Sequence, residues 1–203
     1  MTKQRRSAPV MQAVLDAVSA RLVSGDELTI RIPEICEETG VNYGSVYHHF
    51  GSREGVIDAA YASIFARLTA EDLAMFDALD RTVDSLEEYV AVLRPIVVSV
   101  ASAPGRKDRR ALRVRIVAAA ATRPQLRRQI ATLQAHVNDE LSRQALVAQQ
   151  RGWLRDDIPA RSLAVLFQML IFGRSLDDVS ESPVDERDWE TAMKALFESL
   201  LRH

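Results

Sequence analysis

The chain has 203 residues, of which 47% are apolar and 27% charged, and a net charge of −2. It is long enough for one large or two small cores, and its charge excludes a polycation that binds nucleic acid by bulk attraction, so any such binding must come from local charge. A single cysteine, Cys36, excludes a disulfide framework or a paired-thiol site and is expected to be a small buried packing residue in a reducing compartment.

The first 14 residues are basic at Lys3, Arg5 and Arg6 but hold no continuous apolar run, unlike a secretory signal. The most apolar stretch, 163–172, is interrupted by Gln168 and is too short for a membrane span. The expected location is the cytoplasm, with no membrane partner.

Helical spacing runs along almost the whole chain, with no strand alternation and no repeat. A first helix over 8–23 puts Met11, Val14, Leu15, Val18 and Leu22 on one face, and Gly25 stops it. A second covers 32–39, with Pro33 tolerated in its first turn. Gly40 supplies a bend, and Asn42 is positioned to cap a third helix that runs to Phe50. After the Gly51-Ser52 break, Ser52 caps a fourth helix from 53 to about 79. Five more follow at 83–102, 107–121, 124–150, 160–177 and 188–201, divided by Pro- and Gly-containing breaks; Pro95 is expected to kink the first of these. The fold class is therefore all-α, with about nine helices: a small N-terminal domain over 1–55 and a helical bundle over 56–203.

Residues 28–57 carry the most information. Four of the eight glycines lie there (Gly40, Gly44, Gly51, Gly55), and two short helices are joined by a tight turn, the outline of a helix-turn-helix whose second member enters a DNA major groove. In the third helix Val46 and Phe50, four apart, share a core face, while Tyr43, Gly44, Tyr47 and His48 project elsewhere. Gly44 costs about 1 kcal/mol against alanine inside a helix, which a close approach of backbone to DNA would justify.

The run IPEICEETGVNYGSVYHHFGSREGVI resembles the DNA-binding region of the TetR family of bacterial transcriptional regulators, most specifically over Gly40 to Glu54. The resemblance implies a homeodomain-like three-helix head that binds a double-stranded DNA operator. In it Tyr43, Gly44 and His48 face base edges, and Ser45, Tyr47, His49 and Arg53 hold phosphates, with Arg31 beside them. Pro33 has no donor, so readout is expected from the third helix. Residues 1–55 hold six Lys/Arg and seven Asp/Glu, so a single head is expected to bind weakly and a dimer on a two-fold site strongly. Lys3, Arg5 and Arg6 are further phosphate or minor-groove candidates, with a flexible tail as the alternative.

The last two helices are apolar at helical spacing. The resemblance implies that they pair with their copies as a homodimer, through Leu163, Leu166, Phe167, Leu170, Trp189, Met193, Leu196, Phe197 and Leu200. It also implies an effector pocket in the bundle, with Tyr61, Phe65, Tyr89, Leu93, Arg94, Ile116, His136, Phe167 and Phe172 as its candidates, Met75 and Phe76 beside them. The default effector is an apolar or aromatic small molecule, oriented by Arg94 and His136 if they point inward. No catalytic, metal or cofactor residues are assigned: HExxH, GxSxG, P-loop and paired-Cys patterns are absent from the sequence.

Residues 106–128 contain nine Lys/Arg and one acid, Asp108, and an earlier acidic stretch contains Glu71, Asp72, Asp77, Asp80, Asp84, Glu87 and Glu88. These are expected to be either solvated ion pairs or a basic helix near the DNA-binding domain. The implied function is a ligand-responsive regulator, most simply a repressor released from a palindromic operator. The alternative is a sensor or adaptor of the same fold that does not bind DNA.

Overall fold

A computed structural model describes residues 3–25, 27–76, 79, 83–102 and 105–202. Among these are nine α-helices: α1 (Lys3–Ser24), α2 (Ile32–Thr39), α3 (Tyr43–Phe50), α4 (Arg53–Ala74), α5 (Leu86–Ser102), α6 (Arg106–Thr122), α7 (Pro124–Gln150), α8 (Ala160–Asp177) and α9 (Glu186–Glu198). A 3-10 turn, Glu27–Thr29, precedes α2. Leu154 and Leu201 form an isolated antiparallel bridge. The fold is all-helical, as expected.

The helix ends follow from identifiable local chemistry. Gly40 takes φ 66°, and its N–H donates to the Cys36 carbonyl, closing α2 in a conformation that favours glycine. The Asn42 side chain accepts from the Ser45 N–H at 3.3 Å and starts α3. Ser52 starts α4 by accepting from the Gly55 N–H at 3.0 Å. α4 stops at Ala74, short of the expected residue 79. Its last turn tightens into three-residue hydrogen bonds, from Met75 N–H to Asp72 O and from Phe76 N–H to Leu73 O. α5 begins at Leu86 because Ser85 and Glu88 form a reciprocal cap. The Glu88 N–H donates to Ser85 Oγ, and the Ser85 N–H donates to Glu88 Oε2, each at 3.2 Å. α9 starts two residues before expectation, capped by Asp185 accepting from the Arg187 N–H at 2.8 Å. It ends at Glu198, beyond which Arg155 N–H donates to Leu200 O and Arg202 N–H to Trp153 O. α1 starts five residues early and runs through Pro9.

Two compact units result: Met1–Arg67 with Ile116–Ile130, and Leu68–Arg115 with Ala131–His203. The expected boundary after residue 55 falls in the first turn of α4. Val56, Ile57, Ala60, Tyr61 and Ile64 are all buried, so α4 carries one apolar stripe past that point. The first unit also buries Met11, Val14, Val18 and Leu22 of α1, Ile35 and Cys36 of α2, Val46 of α3, and Ile116, Leu126 and Ile130 of its second segment. The second unit has a core of Phe76, Tyr89, Leu93, Ile96, Val137, Leu141, Leu154, Leu163, Ile171 and Phe197, with Phe167 and Leu200 packed against it.

Candidate nucleic-acid interface

Helix α3 is held by a single apolar anchor. Val46 is fully buried, while Tyr43, Gly44, Ser45, His48 and His49 are exposed and Tyr47 is half-buried. The phenol rings of Tyr43 and Tyr47 lie 4.4 Å apart at 32°. A hydrogen bond donated by Tyr47 to the Tyr43 side chain, together with burial, raises the Tyr47 phenol above its ordinary range, so it stays protonated at neutral pH. His49 meets Phe50 edge to face at 4.6 Å. The resulting surface offers hydroxyls, imidazoles and a short bare stretch of backbone at Gly44, donors suited to phosphate oxygens and base edges.

Gly44 has a local reason as well as the expected one. A Cβ there would come within 3.1 Å of the Asn42 Oδ1 that caps the helix. Gly55 is more constrained: a Cβ would lie 2.0 Å from the Phe50 carbonyl oxygen. Cys36 is buried, and burial raises its thiol pKa, which keeps it protonated and unreactive.

The two arginines beside α3 differ in use. Arg31 is exposed and donates to Leu28 O at 3.0 Å. Arg53, expected to hold phosphate, is half-buried. Its Nε donates to Ile30 O at 3.1 Å, its Nη2 to Glu27 O at 2.5 Å, and its Nη1 lies 3.6 Å from Glu54. It thereby ties the start of α4 to the turn before α2. Arg21 is paired with Glu38 at 2.6 Å. The side chains of Lys3, Arg5 and Arg6 lie outside the described residues.

A contributor that sequence reasoning did not assign to this unit is Arg123, in the turn between α6 and α7. Its guanidinium pairs with Asp58 of α4 at 3.1 Å and with Glu27. The partners are 65 and 96 residues away along the chain, so no local pattern could have paired them.

The rest of the basic run is largely matched in the second unit. Arg106, Arg109 and Arg113 converge on Asp72 at 3.0, 3.1 and 2.6 Å, Arg109 also meets Glu71, and Arg110 grips Asp178 with two bonds of 2.7 Å. The expected acids Asp77 and Asp80 lie outside the described residues.

The second unit also contains a cavity of about 100 Å³, lined by residues that include Phe76, Tyr89, Leu93, Leu141, Gln144, Leu163, Leu166, Phe167, Leu170, Leu196, Phe197 and Leu200. Of the expected pocket residues, it brings together Phe76, Tyr89, Leu93 and Phe167. Tyr61, Phe65 and Ile116 are buried in the first unit. Arg94 is paired with Glu198 at 3.1 Å, His136 is exposed, and the half-buried Phe172 is not in the lining. Most of the expected dimer residues line the cavity too: Leu163, Leu166, Phe167, Leu170, Leu196, Phe197 and Leu200. Met193 is buried, and the half-buried Trp189 stacks under the Arg174 guanidinium at 4.8 Å. The exposed apolar side chains of α8 are instead Val165, Met169 and Leu176, at 39%, 61% and 78% exposure.

Residues 29–60 match the family described as bacterial regulatory proteins, tetR family. Solved structures resemble the chain over nearly its full length. A TetR-family transcriptional regulator from Mesorhizobium loti is 18% identical, with TM-score 0.72 and 96% of each chain covered. A TetR-family regulator from Rhodococcus sp. is 20% identical, with TM-score 0.69, covering 95% of this chain and 98% of that one. A transcriptional regulator from Saccharomonospora viridis, solved in complex with choline, is 14% identical, with TM-score 0.71, covering 97% and 100%. No curated protein matches the chain. Residues 29–60 thus carry the match to the tetR family, and the chain as a whole shares the all-helical fold of these regulator structures.

Proposed function

We propose that the chain is a DNA-binding transcriptional regulator that responds to a small molecule and acts as a cytoplasmic homodimer, most simply as a repressor released from a palindromic operator. The observation that carries this reading is the exposed polar face of α3, anchored behind by Val46 and started by the Asn42 cap. In the proposed interface Tyr43, Gly44 and His48 read base edges, while Ser45, Tyr47, His49 and Arg31 hold phosphates. Arg53 acts by holding the backbone of the preceding turn. With Arg21 and Arg53 already engaged inside the protein, one head offers little free positive charge, and two heads on one operator supply the missing affinity.

A dimer is supported by the outer face of α8. Val165, Met169 and Leu176 are spaced four and seven residues apart on one side of the helix and are exposed in the single chain. The cavity supports the response to a small molecule, and ligand binding would then weaken DNA affinity through linkage between two sites. No helix among the described residues is long and apolar enough to cross a membrane.

Fluorescence anisotropy with the DNA upstream of the chain's own gene tests the reading. Tyr47→Ala and His48→Ala are expected to abolish specific binding while the dimer persists in light scattering. Full retention by both would sink the assignment of α3. Met169→Glu is expected to give monomers with much reduced operator affinity. The second reading, a sensor that does not bind DNA, draws on the acidic excess of the head; specific binding to any upstream site eliminates it.

A further inference from the structure

The cavity in the second unit has a definite chemistry. Its volume is about 100 Å³, and among the described residues its wall carries no charged side chain. The polar groups are the Gln144 amide and the Tyr89 hydroxyl. Burial raises the Tyr89 pKa, so its hydroxyl stays neutral. Arg94, a charge expected to point inward, is instead paired with Glu198. An ion drawn against this apolar lining loses part of its water and meets no counter-charge among the described lining residues.

The aromatic lining does not form an open box for a cation. Phe76 and Phe167 meet edge to face at 5.6 Å and 87°, so one ring's edge covers one of the two faces of the other. Tyr89 is tilted against Trp153 at 5.2 Å. A quaternary ammonium needs such faces free. The volume is also somewhat below the roughly 150 Å³ of an apolar cavity that takes up benzene, so a single ring fits with small side-chain adjustments and a fused ring system does not.

We propose that this cavity takes an uncharged ligand of single-ring size, oriented by a hydrogen bond to Gln144, and rejects ionised ligands of the same size. That such a ligand regulates DNA binding rests on the function proposed above; the binding chemistry does not.

Isothermal titration of the full-length chain at neutral pH with toluene, phenol, benzoate, choline and a four-ring steroid tests this, with Trp153 emission as a second signal. Toluene and phenol are expected to bind saturably. Benzoate, choline and the steroid are expected to show no binding at tenfold higher concentration. Gln144→Leu is expected to weaken phenol by about three- to tenfold, the worth of one net hydrogen bond, and to leave toluene within twofold. Ala164→Phe, which fills the cavity, is expected to abolish both.

Benzoate or choline binding as tightly as phenol, an unchanged phenol-to-toluene ratio in Gln144→Leu, or failure of every neutral ring to bind would each overturn the proposal. Operator binding without ligand, measured separately by anisotropy, tests the regulator reading. Its failure leaves the cavity assignment standing, and a cavity failure leaves operator binding standing.

Discussion

Replacing Arg123 by methionine keeps the length of the side chain and removes its charge. In the native chain the guanidinium is 26% exposed and bridges Asp58, 11% exposed, and Glu27, 20% exposed. Truncating one partner of a fully buried pair costs about 3–5 kcal/mol, because the other charge is left desolvated, whereas an exposed pair is worth ~0–1 kcal/mol. The partial exposure here sets the expectation at about 2 kcal/mol. If the chain melts as one, that corresponds to a fall of roughly 4–8 °C in its melting temperature. Two units need not melt together, so hydrogen exchange at α4 and the Glu27–Thr29 turn is the sharper assay, read alongside calorimetry. A cycle with Asp58→Asn isolates the pair: once Asp58 is neutral, Arg123→Met should cost at least 1 kcal/mol less than it does alone. A single variant within about 0.5 kcal/mol of wild type, or two losses that simply add, would refute the assignment of Arg123 as a clamp within the first unit.

The remaining perturbations test separate parts of the chain. Gly55→Ala forces a Cβ to 2.0 Å from the Phe50 carbonyl oxygen, and a loss of about 3 kcal/mol or more is expected by denaturant titration; a neutral outcome would mean the α3–α4 turn relaxes freely. Gly44→Ala gains about 1 kcal/mol of helix propensity and spends part of it crowding Asn42, so stability should change little while operator affinity falls at least tenfold. Unchanged affinity would remove close backbone approach as the reason for this glycine. The Arg110 bond holds the Asp178 carboxyl below its ordinary range. A depressed folded-state value contributes stability that is complete above about pH 4, the unfolded value, and is lost as pH falls through the lower folded one. The stability difference between wild type and Asp178→Asn, measured by urea unfolding, should therefore be full at pH 7 and shrink below pH 4; a difference independent of pH would contradict the pairing.

Legibility in the sequence followed the range of the interactions. Gly40, Asn42 and Ser52 act within four residues of themselves, and their turns and caps could be read directly. The Ser85–Glu88 cap is equally local, and its S-x-x-E spacing was available as a signal for the true start of α5. The charge clusters were visible as composition, but their pairing was not, because Asp72 and Arg113 are 41 residues apart. Arg53 shows the same range effect. Its position in the motif predicts a phosphate contact, and two backbone carbonyls 23 and 26 residues earlier also engage its guanidinium, a pairing no local pattern announces.

Helix α8 explains why the apolar faces were harder to assign than the helices. Its sequence is apolar nearly all round, so a 3.6-residue period has no polar side from which to orient it. Leu163, Phe167 and Leu170 look equally suited to a partner or to a core, and they line the cavity. Val165, Met169 and Leu176 carry no stronger hydrophobic signal, yet they remain exposed. A helix with two apolar sides needs cover on both, and the single chain provides it on one. The same helix thus joins the wall of the cavity to the proposed dimer surface through side chains one or two positions apart. A substitution that swells the inner face, such as Ala164→Phe, should then alter dimer affinity as well as ligand binding. Equilibrium sedimentation of that variant checks the link: an unchanged dimer constant with ligand binding abolished would mean the two faces of α8 act independently.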